Sequence, residues 1–491
     1  MKYVPVSHPG ISDHIKSDFV VKLNKQQNEA TATVSPFNER GMVEKPDFVV
    51  ARPNGATDQI EFSVKAHSLA EGCWIAEPSW FCTSGQTPGH SQHPSRSSQT
   101  FQTRSEAVED AFNRGLRQIK SALAELQDEP KWKKRLNALA TWTSTTVDQV
   151  RANDETLPLR GCSVIDLACG GLGGFGLGLK SLGAEVQLAC DIDPNARAMY
   201  QQNVRPASMH DDICTLDGEN LQCDILTMGL MCQAFSKAGK GLGMDDPNLG
   251  VAYKHSLRLL SQIDAKVVII ECVRQLLTVN GGHDAQLVRD TLLMAGYRVQ
   301  HRTLNAKGFG LPQSRERAFI VATRIGIPTD DILGYMFPTE KTPTVTVKDI
   351  MDEHIQGDVS PTRLHVLRAE PTKKQDCLIE VARIDGRNSQ GYRVYSPMGI
   401  AATLTAMSGG RGQTSVYSIN GKARALTPRE ACRLQGLPEW SAHHQVRTHA
   451  CKHAGNAVAI PLVRELGRML GSSLTSKKAK AGSAFVMGGV A

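Results

Sequence analysis

The sequence predicts an α/β protein built on a doubly wound sheet, interrupted by a smaller inserted domain and preceded by an extra α+β domain. Three observations carry this. From Gly161 onward, short apolar runs alternate with helical segments. That is the pattern of strands buried on both faces of a wound sheet. Three of those runs end on or near an acid, at Asp166, Asp191 and Glu271. Between 326 and 423 the rhythm breaks into short strands with frequent Pro, Asp and Thr, then returns to helices.

The elements follow in order. Residues 1–150 hold strand-like runs at Phe48–Ala51 and Ile60–Val64, then a Ser-, Gln-, Gly-, Pro- and His-rich loop over 84–104. Ala107, Ala111, Leu116, Ile119 and Leu123 recur at helical spacing, with Ser105 as the expected cap. A second helix is expected over 131–150. Trp74, Trp80 and Phe81 are read as a core cluster of this separate domain, with a binding surface as the alternative. The wound sheet takes its strands from 164–167, 186–191, 224–229, 266–271 and 318–322. Together, 160–325 and 424–470 form the main domain and 326–423 the insertion. Residues 471–491, with Lys477, Lys478 and Lys480, form a flexible basic tail.

At 491 residues the chain is long enough for several cores at ~150 residues per domain. No stretch approaches the ~20 apolar residues of a membrane span, and Met1–Lys16 lacks a leader's apolar block. A cytoplasmic protein is expected. The formal charge of +7 is unevenly spread: zero over 1–150, −4 over 151–300 and +11 over 301–491. The basic last part suits a polyanion, or is a solvated basic face. Twelve cysteines include no CxxC pair, which argues against a zinc ribbon or thiol-redox motif.

Six segments bear on chemistry. Asp166-Leu-Ala-Cys-Gly170-Gly171-Leu-Gly173-Gly174 places glycines between a strand and a helix, where a ligand can approach the backbone. A dinucleotide or S-adenosylmethionine would fit. The number of glycines and a second acid, Asp191, favour the latter. Cys232, in Gly229-Leu-Met-Cys-Gln-Ala-Phe-Ser236, lies just past a strand end, the place of a nucleophile or of a buried structural thiol. Glu271 ends a later strand and is placed for proton transfer or for capping the next helix. Arg315 and Arg317, one residue apart on an extended segment, share a face and could fork onto a carboxylate, phosphate or base oxygen, or pair with Glu316 on the surface. In Arg424–Gly436, Thr427 caps a helix starting at Pro428 with Glu430 at its third position. Gly455-Asn456 reads as a turn before a helix.

In this order the six segments resemble the DNA (cytosine-5) methyltransferases over about residues 160–470. The resemblance implies a Rossmann-like, S-adenosylmethionine-dependent methyltransferase sheet with 326–423 as the target recognition domain. It also implies transfer of a methyl group to carbon 5 of a flipped cytosine in double-stranded DNA. The alternatives are an RNA cytosine-5 methyltransferase and a catalytically impaired DNA-binding relative. Cys232 is then the thiolate that adds to carbon 6, Glu271 the group at ring N3, and Arg317, with Arg315, the partner of the ring carbonyl or of the Cys232 loop. Gln233, Ser236 and Thr403 fall at substrate positions. Asp166, Gly170 and Gly173 go to the methionine end of S-adenosylmethionine, Asp191 to its ribose, Ile192 to the adenine face and Asp212 to the adenine amine, and Asn456 closes the site. A monomer is expected, with a cognate restriction endonuclease as a possible companion or an orphan role in a bacterium or phage. The sequence departs from the family pattern at Met231 (for Pro), Cys272 (for Asn), Ala168 (for an aromatic) and Asn248, where an arginine is common; its glycine segment is one residue longer.

Overall fold

A computed structural model describes residues 20–23, 48–52, 60–70, 73–82, 90–91, 100–101, 103–123, 130–152, 154, 157–230, 250–327, 337–342, 345–352, 364–387, 392–405, 416–419, 422–442 and 447–475. They belong to two compact units, 1–157 and 158–491. Among the described residues no helix is long and apolar enough to cross a membrane.

In the first unit, β1 (Val20–Leu23), β2 (Phe48–Ala51), β3 (Ile60–Ala70) and β4 (Cys73–Cys82) pair antiparallel in sequence order, and β5 (His90–Ser91) and β6 (Thr100–Phe101) both pair with β4. Helices α1 (Arg104–Ala122) and α2 (Pro130–Ala152) follow. Alternate β3 residues Ile60, Phe62, Val64 and Ala66 are buried, as the two-residue period of a strand requires. Phe62 meets Phe112 of α1 edge-on at 5.3 Å, and Phe112 meets Trp142 of α2 the same way at 5.6 Å. Trp80 is buried and donates to Gln118 Oε1. The cap of α1 is Thr103 rather than the expected Ser105. Thr103 accepts from the Glu106 N–H, while the buried Ser105 hydroxyl donates to Asp154.

In the second unit the main sheet comprises β7 (Ser163–Leu167), β8 (Glu185–Cys190), β9 (Ser208–His210), β10 (Gln222–Gly229), β11 (Asp264–Val273), β12 (Tyr297–Asn305) and β13 (Glu316–Arg324). Its order is β12-β13-β11-β10-β7-β8-β9. The strands from β11 to β9 run parallel, and the connections include α3 (Gly174–Lys180), α4 (Pro194–Asn203) and α5 (Gly250–Gln262). Both faces are covered. Along β11, Val267 and Ile269 enter one apolar cluster, while Val268, Ile270 and Cys272 enter the other.

The run at 318–322 forms a strand, as the sequence predicts, but not one of the parallel set. It lies in β13, antiparallel to both β11 and β12. After β11 the chain passes through α6 (His283–Met294) to β12, then turns back over residues 306–315, too short a path for a parallel crossover. Strand β12 was not foreseen because it is an edge strand. Arg298, His301 and Arg302 are exposed, so no continuous apolar run marks it.

Later in the unit come α7 (Val347–Ile350) and a five-stranded sheet in sequence order: β14 (Leu364–Val366), β15 (Glu380–Ile384), β16 (Arg393–Tyr395), β17 (Val416–Ile419) and β18 (Lys422–Ala425). It occupies the stretch where the sequence breaks rhythm, ending two residues beyond 423. Then follow α8 (Pro428–Arg433), α9 (Arg447–Asn456) and α10 (Ile460–Thr475). The last passes the expected boundary at 471, because Leu466, Leu470 and Leu474 continue its apolar stripe into the core. Residues 476–491 of the expected tail lie outside the described residues.

Helix α8 is capped as the sequence predicts: Thr427 accepts from the Glu430 N–H, and the Glu430 carboxylate accepts from the Thr427 N–H. The same carboxylate takes both terminal nitrogens of buried Arg424, at 2.7 and 2.8 Å. Arg433 pairs with Glu439 and, at 2.8 Å, with Asp352.

Candidate active site

Parallel strands deliver their carboxyl ends to one edge of the sheet, and the winding reverses between β7 and β10. A crevice forms where that reversal occurs. At its floor Asp166, the fourth residue of β7, is fully buried. It accepts from the Tyr200 hydroxyl and the Thr227 hydroxyl, both at 2.7 Å. Burial raises its pKa to about 6, against the lowering effect of those hydrogen bonds and one from the Gly176 N–H. The side chain expected to face the methionine end of a cofactor is thus turned inward, where it knots β7, α4 and β10 beneath the glycine loop. Nothing local in the sequence points to Tyr200 or Thr227 as its partners, since they come from other elements.

The glycine loop follows. Gly170 and Gly173 have φ of +66°, which an L side chain rarely adopts, and Gly173 caps α3. A β-carbon on Gly174 would press into the backbone of Val458, and one on Gly171 would lie 2.9 Å from His453 Nδ1. The Gly455–Val458 turn is therefore laid directly on the loop, with Asn456 exposed at the end of α9. Lys452 of α9 also reaches Asp193 at 3.0 Å, beside the second strand end. Burial holds the His453 imidazole below the usual histidine range.

Asp191, just past β8, accepts from the Gly170 N–H at 2.9 Å and the Asp193 N–H at 3.0 Å. Arg197 donates to the carbonyls of Asp191 and Ile192. This holds the loop so that Ile192 is 73% exposed, an unusual setting for so apolar a side chain. Asp212 is half-buried and accepts from the Cys214 N–H at 2.8 Å. Ala168 sits at φ +48°, with its carbonyl close beneath Gly229 at the end of β10.

On the other side of the crevice, Glu271 is 7% exposed near the end of β11. Arg317 of β13 approaches it, Nε to Oε1, at 3.1 Å, and its Nη1 donates to the Glu316 carbonyl at 2.8 Å. The approach is an ion pair without hydrogen-bond alignment. Oε1 takes no hydrogen bond among the described residues. A second ion pair, Arg274–Glu316 at 2.9 Å, links the same two segments at the surface. The Leu230 N–H donates to the Glu271 carbonyl at 2.9 Å, tying the exit of β10 to this acid. Cys272 is fully buried in the core behind it.

Arg315 does not share this arrangement. Strand β13 begins at Glu316, so the two-residue alternation expected to align the arginines does not extend back to Arg315. Its buried guanidinium donates to the carbonyls of Leu404, Gly455 and Ala457 at 3.0–3.1 Å. Neither arginine forms the surface pair with Glu316 that the sequence left open; that partner is Arg274. Thr403 donates to the Ser314 carbonyl at 2.7 Å, on the same strap. Cys232, Gln233 and Ser236, with Met231 and Asn248, lie outside the described residues.

The crevice thus joins a glycine-lined wall bearing an exposed apolar side chain and two carboxylates to a wall bearing a buried, under-bonded carboxylate beside an arginine. Known proteins share this chain's pattern. Residues 162–472 match the C-5 cytosine-specific DNA methylase family. The Type II methyltransferase M.HhaI of Haemophilus parahaemolyticus is 33% identical over 325 residues, 65% of this chain and 97% of that protein. M.Bsp6I of Bacillus sp. strain RFL6 is 31% identical over 313 residues, 62% of this chain and 97% of its own. A crystal structure of the S. pombe Dnmt2 methyltransferase covers 63% of this chain and 98% of its own, at 20% identity and a TM-score of 0.47. With the match spanning well over half its length, the chain belongs to the C-5 cytosine-specific DNA methylase family.

Proposed function

We propose that the protein transfers a methyl group from S-adenosylmethionine to carbon 5 of cytosine in duplex DNA. The observation that carries the reading is the Glu271–Arg317 pair facing the crevice at the reversal of the sheet. A buried carboxylate oxygen without a hydrogen bond is costly, and a ligand that donates to it relieves the cost. The exocyclic amine of cytosine is such a donor, and N3 becomes one once it is protonated as the thiolate adds.

The other wall fits the cofactor. Gly170 and Gly173 leave the backbone open to the methionine end, Asp191 can accept from ribose hydroxyls, and Ile192 offers an apolar face to adenine. Asp212 is assigned to the adenine amine and Asn456 to closing the site. The cofactor supplies an electrophilic methyl group. The chain's residues make carbon 5 nucleophilic. The Cys232 thiolate forms a bond to carbon 6, and the displaced electron pair moves toward carbon 5 and N3. Glu271 holds the proton at N3, so the adduct is a neutral enamine, and Arg317 orients Glu271 and the ring carbonyl. After carbon 5 is methylated, a base takes its proton, N3 returns its own proton to the Glu271 carboxylate, and the S–C6 bond breaks, restoring the ring and the thiolate. The target atom is reached by flipping the base, at a cost of roughly a few kcal/mol.

Residues 326–423 are proposed as the target recognition domain. The charge of +11 over 301–491 lies in its flanks, +4 over 301–325 and +7 over 424–491, while 326–423 is neutral, so phosphate contacts are assigned to the flanking segments and base contacts to the insertion. Exposed His365, Val366 and Arg368 on and beside edge strand β14 are candidates for the DNA-facing side. Residues 1–150 form a separate domain. A monomer, serving in restriction-modification beside a cognate endonuclease or as an orphan methylase, completes the reading.

The test incubates the protein and Cys232→Ser with methyl-labelled S-adenosylmethionine and mixed genomic DNA, and identifies the product nucleosides by mass. Label as 5-methylcytosine, lost in Cys232→Ser, is expected. Label in another base, or a fully active Cys232→Ser, overturns the mechanism.

A further inference from the structure

We infer that Arg315 is a positioning residue that couples the cofactor side of the site to the DNA side, so that each ligand tightens the binding of the other. The inference rests on the proposed methyltransfer and concerns residues of one compact unit.

The guanidinium of Arg315 is 3% exposed and has its forked donors divided between two segments. Nη1 donates to the Leu404 carbonyl at 3.0 Å, and Nη2 to Gly455 and Ala457 at 3.1 and 3.0 Å. Leu404 lies within the inserted region, beside Thr403 in the segment that follows β16. That segment is zipped along the Arg315 strap: Ala401 donates to the Pro312 carbonyl, Ser314 to Ala401, Thr403 to Ser314, and Leu404 to the Gln313 side chain at 2.7 Å. Gly455 and Ala457 flank Asn456, in the turn laid against Gly174 of the glycine loop. Two residues past Arg315, Arg317 reaches Glu271.

A single rigid fork thus holds a substrate-side loop, the turn that closes the cofactor loop and the start of the strand carrying Arg317. A planar guanidinium satisfies three carbonyls only while they keep one relative geometry, because hydrogen bonds weaken steeply off line. A ligand that orders either segment therefore preorders the other. Linkage makes the effect reciprocal. A lysine keeps the charge but replaces the planar fork with one rotatable ammonium, so it cannot hold both segments in the same relation.

The experiment measures the Kd of S-adenosylmethionine by equilibrium dialysis, with and without a saturating cytosine-containing duplex oligonucleotide, for the wild type, Arg315→Lys and Thr403→Val. The readout is the ratio of the two constants. Either constant alone is free to move. In the wild type DNA is expected to tighten the cofactor by at least about fivefold, the lower end of typical coupling. Arg315→Lys is expected to bring the ratio near one. Thr403→Val, which removes a half-buried hydroxyl, lowers it partway and serves if Arg315→Lys does not fold. Equal losses in both constants, with the ratio kept, assign Arg315 to structure alone and overturn the inference, as does a wild-type ratio of one. Failure of the wild type to bind S-adenosylmethionine at all would instead count against the proposed function.

Discussion

Glu271 and Arg317 face each other from adjacent antiparallel strands, with Oε1 and Nε 3.1 Å apart, yet the buried oxygen takes no hydrogen bond among the described residues. The arginine neutralises the acid while leaving hydrogen-bonding capacity for a ligand. Glu271→Gln keeps the shape and removes the group that manages the ring proton. A fall in single-turnover methyl transfer of about 10²–10⁴-fold is expected, the usual weight of a general acid or base. The KM for DNA should change little. A loss confined to KM would make Glu271 a binding group only.

Asp166 gives a pH signature. Its folded pKa of about 6 lies above the ordinary 3.8, so the folded chain holds this proton more tightly than the unfolded chain does. The stabilisation from that proton is complete below pH 3.8 and is lost as pH rises through 6. Asp166→Asn has no such titration. Between pH 3.5 and 7, the wild type should lose on the order of 3 kcal/mol relative to the variant, from about two pKa units at 1.36 kcal/mol each. Urea unfolding of both proteins across that range checks it. Parallel profiles would mean that Asp166 titrates normally.

The glycine loop separates strain from clash. Gly170→Ala places a methyl group in open space at φ +66° and should cost about 1–2 kcal/mol, the price of a left-handed L-residue. Gly174→Ala is conformationally allowed but drives a methyl group into Val458, an overpacking cost of about 1–3 kcal/mol. Because the collision displaces the Asn456 turn, Gly174→Ala should weaken S-adenosylmethionine binding more than Gly170→Ala, measured by dialysis alongside denaturation. The reverse order would detach the turn from the cofactor.

The Arg424–Glu430 pair is fully buried and bidentate. Arg424→Met strands the carboxylate and should cost about 3–5 kcal/mol by urea denaturation. Adding Glu430→Met removes the stranded charge and should recover most of that, leaving about 1 kcal/mol for the lost α8 cap. Additive losses in the double variant would show that the two residues act independently.

The sequence by itself determined the wound sheet, its glycine loop, the α8 cap and the family, because each is written in neighbouring residues. A strand buried on both faces needs a continuous apolar run, as at 267–270. A helix start needs Thr427, Pro428 and Glu430 at fixed offsets. Tertiary structure decided what depends on residues far apart in the chain. It turned β13 antiparallel, since nothing within 318–322 encodes the direction of its neighbours. It gave Asp166 to Tyr200 and Thr227, residues 34 and 61 positions away. It also separated Arg315 from Arg317: the two read as one motif along the chain, but carbonyls 89–142 positions downstream claim the first, and Glu271 on the neighbouring strand claims the second. Periodicity specifies which side chains are hidden, whereas the partner each one meets is set only when distant segments pack.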